Sequence, residues 1–309
     1  MTVLHRRAIA ALCTLALVAR PLAAQPVPQV AAGRIERLAN FPSRHVDARH
    51  VDVWLPPGYD GRTRLPVVYM HDGQMLYDST VTWNKQEWTV DETLARLVRE
   101  GRTGPAIVVG IWNNGKRRHS EYFPARALAL MPQPMRDRLL AQGLDGTARA
   151  DAYLRFVVEE LKPAIDARFA TRPDAASTFV MGSSMGGLIS LYALCEYPQV
   201  FGGAAALSTH WIGNFGANAT IPLAFFTYLR DRLPDPATHR LYMDVGTIEL
   251  DANYVIHQPI AERIARDRGY DDRTMVSRIV TGAGHTERAW AARLDRPFAF
   301  LLAPRPDAR

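Results

Sequence analysis

The stretch TFVMGSSMGGLISLYALCEY (178–197) decides how the rest of the chain is read. Thr178-Phe179-Val180-Met181 is β-prone, Leu188 to Leu194 is helix-prone, and Gly182-Ser183-Ser184-Met185-Gly186 between them matches G-x-S-x-G. A strand, a sharp turn and a helix in that order hold the central serine on a strained turn. Glycines two residues before and after it let the backbone pass close to itself. Ser184 is therefore the candidate nucleophile and Ser183 a flanking residue. The N–H of Met185 would open the helix, where free donors and the helix dipole favour an oxyanion.

Outward from this stretch, apolar segments alternate between strand and helix character. Strands are expected at Arg34–Leu38, His50–Leu55, Leu65–Met70, Ala106–Ile111, Gly202–Leu207, Arg240–Val245 and Met275–Val280. Helices are expected from Thr89 to about Glu100, Thr147–Phe169, Ile221–Leu233, Tyr254–Arg268 and Glu287–Leu302. Thr89-Val90-Asp91-Glu92 fits a capping box. This alternation implies an α/β fold with a mainly parallel central sheet, helices on both faces, and ligands at the carboxyl ends of the strands. The segment 113–146, rich in Pro, Arg and Gly, reads as a long loop with one short helix near Met135–Ala141, and as a possible lid.

The N-terminus bears on location. His5-Arg6-Arg7, an apolar run from Ala8 to Ala19 and Leu22-Ala23-Ala24 have the pattern of a secretory signal peptide over 1–24. A loose Pro/Ala-rich leader follows at 25–32, then a single domain over 33–309. The expected product is exported, periplasmic or secreted, and has no membrane span. The formal charge of +6 includes Arg6, Arg7 and Arg20, with no acid before Gln25, so 6 − 3 leaves +3 on the remainder. Basic residues are interleaved with acids, which does not suggest a nucleic-acid partner. Of the two cysteines, Cys13 falls in the signal segment, and Cys195 reads as a small buried apolar residue.

A nucleophile needs a base and an acid. In an α/β-hydrolase the chain order is Ser, acid, His. His285, in the glycine-rich Thr281-Gly282-Ala283-Gly284-His285 after the last strand, is the expected base, and His210 is its competitor. His239 precedes a strand and would face the wrong end of the sheet. The acid should follow the penultimate strand, where Asp244, Glu249 and Asp251 are all available and both loop carboxylates could orient an imidazole. The second oxyanion donor should come from His71-Asp72-Gly73-Gln74. His71 and Asp72 have no matching metal-ligand cluster nearby in sequence and read as structural. Trp112 and Trp211 follow strands and could stack on a substrate, or serve as core. Arg117, Arg118 and Arg126 read chiefly as a solvated loop face.

The motifs VVYMHDGQMLYD (67–78), VVGIWNN (108–114), Glu121-Tyr122, VMGSSMGGLISLYAL (180–194), DVGTIELD (244–251) and GAGHTERAW (282–290) together resemble the putative-esterase family of α/β-hydrolases. Ferric-enterobactin, feruloyl and acetylxylan esterases, S-formylglutathione hydrolase and the mycolyltransferases belong to that family. The resemblance covers roughly Val51 to Leu302. It implies Ser184 as nucleophile, His285 as base, Glu249 as acid with Asp251 in reserve, oxyanion N–H groups at Met185 and Gln74, and no metal or organic cofactor. The implied activity is hydrolysis of a small-molecule or saccharide-linked ester through an acyl-enzyme. Acyl transfer, or binding on an inactive hydrolase fold, are the alternatives.

Overall fold

The computed structural model describes residues 25–304 apart from 215 and 217; the expected signal peptide (1–24) lies outside them. Eight strands form one sheet: β1 (Arg34–Phe41), β2 (Arg49–Leu55), β3 (Val67–His71), β4 (Ile107–Ile111), β5 (Thr178–Ser183), β6 (Gly203–Leu207), β7 (Arg240–Gly246) and β8 (Met275–Val280). Their spatial order is β1-β2-β4-β3-β5-β6-β7-β8. The β1–β2 and β2–β4 pairings are antiparallel and all the others are parallel. This is the α/β-hydrolase fold.

Burial explains the sequence pattern. Strands β3 to β7 are buried along their whole length, and such strands read as continuous apolar runs. The edge strands β1 and β8 are partly exposed and mix polar with apolar residues. Side chains alternate between two cores, as the two-residue period requires. Val67 and Tyr69 of β3 pack with Leu188, Tyr153 and Phe225 on one face. Val68 and Met70 pack with Leu94, Trp290 and Phe298 on the other.

The winding reverses at β3, whose neighbours are β4 and β5. A crevice therefore opens where the carboxyl ends of β3 and β5 lie side by side, the usual ligand position on such sheets.

Three local expectations are corrected. Thr89 adopts left-handed φ (50°) and makes no side-chain cap, so there is no capping box. Asp91 is instead buried and accepts from the N–H groups of Ala31 (2.7 Å) and Ala32 (3.2 Å). The leader is consequently not loose: Asp78 also takes Gln29 N–H at 2.9 Å, and Trp54 Nε1 donates to Ala32 O at 2.8 Å. Finally, 113–146 is not an open loop. It folds into short helices at Arg118–Tyr122, Ala125–Leu128 and Gln133–Gly143, and Tyr122, Phe123 and Leu139 bury against the main core.

An ion pair anchors that segment. Arg49 of β2 donates from both terminal nitrogens to Glu121, each at 2.8 Å, with both side chains buried. Burial alone would lower the guanidinium pKa, but Glu121 more than offsets it, and the net direction is upward. Removing one member leaves an uncompensated buried charge. Glu121→Ala is thus expected to lose about 3–5 kcal/mol of stability, measured by denaturant unfolding.

Candidate active site

The four parallel strand ends β3, β5, β7 and β8 deliver the site. At the end of β5, Ser184 has φ 57° and ψ −124°, a conformation that side chains with a Cβ rarely adopt. The turn is over-determined. Ser184 N–H donates to Leu207 O of β6 at 2.9 Å, and its own carbonyl accepts from Gly187 and His210. A Cβ at Gly182 would fall 2.7 Å from Gly186 O, which is why these two positions must come this close without side chains. Met185 is the first residue of the buried helix Met185–Glu196.

At the end of β3, Asp72 turns into left-handed φ (58°) and Gly73–Met75 forms a single 3-10 turn. A Cβ on Gly73 would meet the Gly110 backbone at 2.4 Å, so the turn packs directly on β4. The turn is braced from the side. Asp72 accepts from Arg118 Nε and a terminal nitrogen, both at 2.7 Å, and from Asn113 Nδ2 at 2.7 Å. Gln74 Oε1 accepts from Asn113 N–H at 3.1 Å. Burial would raise the Asp72 pKa, but Arg118 outweighs it and holds the carboxyl below its usual range. His71 is buried with Nδ1 on Tyr153 OH (2.8 Å), and burial pushes its pKa down to about 3. Its role is structural, and among the described residues no cluster of three or more His, Cys, Asp or Glu could hold a metal.

The loops after β7 and β8 meet over His285. Its Nδ1 lies 2.6 Å from Asp251 Oδ1. This corrects the expectation for Glu249, whose Oε2 accepts from the His285 backbone N–H at 3.1 Å and does not hold the ring. Glu249 takes left-handed φ (55°) and folds under the loop, so close that a Cβ on Gly284 would fall 2.2 Å from Oε2. The 3-10 turn Glu249–Asn253 then carries Asp251 inward.

Asp251 is fully buried and fully engaged. Besides the imidazole, it accepts from Ser208 Oγ (2.6 Å) and Gly246 N–H (2.7 Å) through Oδ2. Ser208 Oγ in turn accepts from Trp290 Nε1 (2.9 Å) and Arg293 (2.8 Å), and Arg293 Nε donates to Asp244 Oδ1 (3.1 Å). Burial alone would raise the Asp251 pKa. The hydrogen bonds from His285 and Ser208 lead a set that outweighs it, and the net direction is downward.

Ser184, Met185, Gln74 and His285 line one cavity of about 860 Å³, together with Arg118, His119, His210 and Trp83. His210, the competing base, has its Nδ1 on the Tyr254 hydroxyl; burial, reinforced by His119, His285 and Arg118, pushes its pKa down to about 3. His239 packs at the opposite end of the sheet, with Nε2 2.9 Å from Pro198 O.

The two tryptophans expected near substrate do not line this cavity. Trp211 is fully buried against Phe226, 5.2 Å between rings. Trp112 donates Nε1 to Asp52 (2.8 Å) and lies under Arg37 (4.7 Å), bracing β1 on β2. Of the loop arginines, Arg117 pairs with Asp47 and Arg126 with Glu196, while Arg118 faces the cavity. Sequence reasoning did not single out Ser208, Arg293 or Trp83. Trp83, in the polar turn Ser79–Asn84 just after β3, was the one with a visible signal.

Ser184 on its strained turn and His285 on Asp251 thus stand at the carboxyl strand ends of an α/β-hydrolase fold. The Esterase family model, described as putative esterase, matches residues 44–301, and the chain belongs to that family. It is a carboxylic ester hydrolase. A protein of Bacillus subtilis (strain 168), YbbA, carries no described function; it is 26% identical over 250 residues, covering 77% of this chain and 86% of YbbA. The siderophore triacetylfusarinine C esterase of Aspergillus fumigatus is 28% identical over 148 residues, but the match covers 46% of this chain and 42% of that enzyme. Among solved structures, a ferulic acid esterase superposes with TM-score 0.62 at 18% identity, covering 87% of this chain and 97% of that one. The enterobactin esterase of Shigella flexneri gives 0.63 at 19%, covering 89% and 59%.

The Ser208 hub yields a test. Ser208→Ala would strand Trp290 Nε1 and remove a donor from Asp251. A loss of about 1–3 kcal/mol in denaturant unfolding is expected. Because the folded Asp251 pKa lies below its ordinary 3.8, the stability it contributes is present above that pH and is lost as pH falls through the folded value. The deficit of Asp251→Asn relative to wild type should therefore shrink below about pH 4, read by urea melts across pH.

Proposed function

We propose that the chain hydrolyses carboxylic esters through a Ser184 acyl-enzyme. The observation that carries this reading is the convergence of three features in one cavity: the strained turn at Ser184, His285 with its Nδ1 on buried Asp251, and Gln74 on the braced β3 turn. Ser184 Oγ forms a bond to the ester carbonyl carbon while its proton passes to His285 Nε2. The N–H groups of Met185 and Gln74 stabilise the negative oxygen that results. As the tetrahedral species collapses, the carbon–alkoxy bond breaks and His285 gives its proton to the departing alcohol. A water, deprotonated by His285, then cleaves the acyl-enzyme and returns Ser184.

Asp251 keeps the imidazole in the tautomer with Nε2 free to accept, and stabilises its cationic form. Glu249 holds the His285 backbone. No group in this scheme calls for a metal or organic cofactor. The sequence pattern of 1–24 supports export, and among the described residues no helix is long and apolar enough to cross a membrane. The ester is expected to be a small molecule or a saccharide-linked one; the printed activities of the relatives support siderophore and feruloyl esters as first candidates to assay.

Fluorophosphonate labelling should modify wild type at Ser184 and leave Ser184→Ala unlabelled. Aryl-ester turnover by Ser184→Ala should be at background, and near-normal turnover would remove the assignment. Asp251→Asn is expected to lower kcat by about 10³–10⁴. Glu249→Gln should have a much smaller effect; the reverse ranking would return the acid role to Glu249.

A further inference from the structure

The mechanism leaves one side chain of the cavity unexplained. Trp83 lines the cavity with Ser184 and His285, yet 83% of its surface is exposed. It contributes little to the core, and an indole held open to solvent is costly unless something covers it.

Its loop is fixed in place. Neighbouring Asn84 donates Nδ2 to Glu287 Oε2 at 2.7 Å, and Gln86 Oε1 accepts from Arg288 N–H at 3.3 Å. Trp88 packs on Trp290 at 5.3 Å. The loop is thus strapped to the helix Glu287–Ala291, which begins two residues after His285. The Asp72–Asn113–Arg118 brace of the Gln74 turn contributes a different wall.

That arrangement sorts the substrate. In the reading above, the departing alcohol oxygen must face His285 Nε2, whereas the carbonyl oxygen must face Met185 and Gln74. The wall strapped to the His285 side therefore receives the alcohol. Charge narrows the class. Arg118 is paired with Asp72, and the Glu287 carboxylate is held by the uncharged Asn84, so this part of the cavity disfavours an anionic group.

The geometry points to Trp83 as the specificity residue of a leaving-group subsite that takes a non-anionic alcohol with a flat face, an aryl or a pyranose ring, stacked on the indole. The inference rests on Ser184 and His285 acting as proposed.

The test compares wild type, Trp83→Phe and Trp83→Ala on esters that share or move the ring: phenyl acetate, an acetylated methyl xylopyranoside, ethyl acetate and ethyl benzoate. Trp83→Ala should lower kcat/KM by about 3- to 10-fold for phenyl acetate, the acetylated xyloside or both, with Trp83→Phe restoring most of it. The one that responds identifies the ring. Ethyl acetate and ethyl benzoate should be unchanged, and so should deacylation of the acetyl-enzyme, because the alcohol has left by then. No change on any ester, an equal loss on ethyl acetate, or a loss confined to ethyl benzoate would overturn the inference. Fluorophosphonate labelling separates the two levels. Unlabelled wild type sinks the Ser184 reading itself, whereas full labelling of wild type and Trp83→Ala with uniform ester losses sinks only the subsite.

Discussion

A carboxylate buried out of water must be matched by donors, and the active end of this molecule is arranged around that demand. Asp251 receives His285 Nδ1 and Ser208 Oγ from the loops after β8 and β6, and the N–H of Gly246, the last residue of β7. One anion thereby joins three successive strand ends. A buried charge is costly when unpaired and orienting when paired. Here the donors also include the group that the chemistry would use. Ser208 shows how far the matching extends: it donates once, accepts from Trp290 and Arg293, and passes the constraint to Asp244 at the end of β7.

Close backbone approach is the second constraint, and it explains where the glycines stand. Gly73 touches Gly110, Gly182 touches Gly186, and Gly284 makes room for Glu249, each at a spacing that a Cβ would violate. These contacts set the heights of the Gln74 turn, the Ser184 elbow and the His285 loop relative to the sheet. Left-handed φ at Asp72, Ser184 and Glu249 is tolerated because such packing leaves each turn few alternatives.

All eight strands were legible in the sequence, because apolar runs and strand-end glycines follow directly from burial in a parallel sheet. What could not be read was which of two carboxylates, two residues apart, turns inward. Glu249 and Asp251 are separated by one residue of a 3-10 turn, and Glu249 packs into the space left at Gly284, a contact 35 residues away in the chain. Trp112 and Trp211 stayed open between substrate stacking and core packing for a related reason. Adjacency to a strand end fixes height along the sheet but not direction, and both rings turn into packing instead of the cavity. The Thr89 capping pattern failed because Thr89 adopts a left-handed φ from which its side chain makes no cap.

The strap between Asn84 and Glu287 has a bearing on how such an enzyme can change. The groups proposed to break the bond sit on turns locked by glycine contacts and a buried anion, where almost any substitution disturbs several partners at once. The segment around Trp83 meets the His285 side through a few side-chain hydrogen bonds and one aromatic contact. Mutations there can reshape one wall of the cavity without touching the reaction. The fold thus separates a tightly coupled set of turns from a wall that can be altered at few contacts.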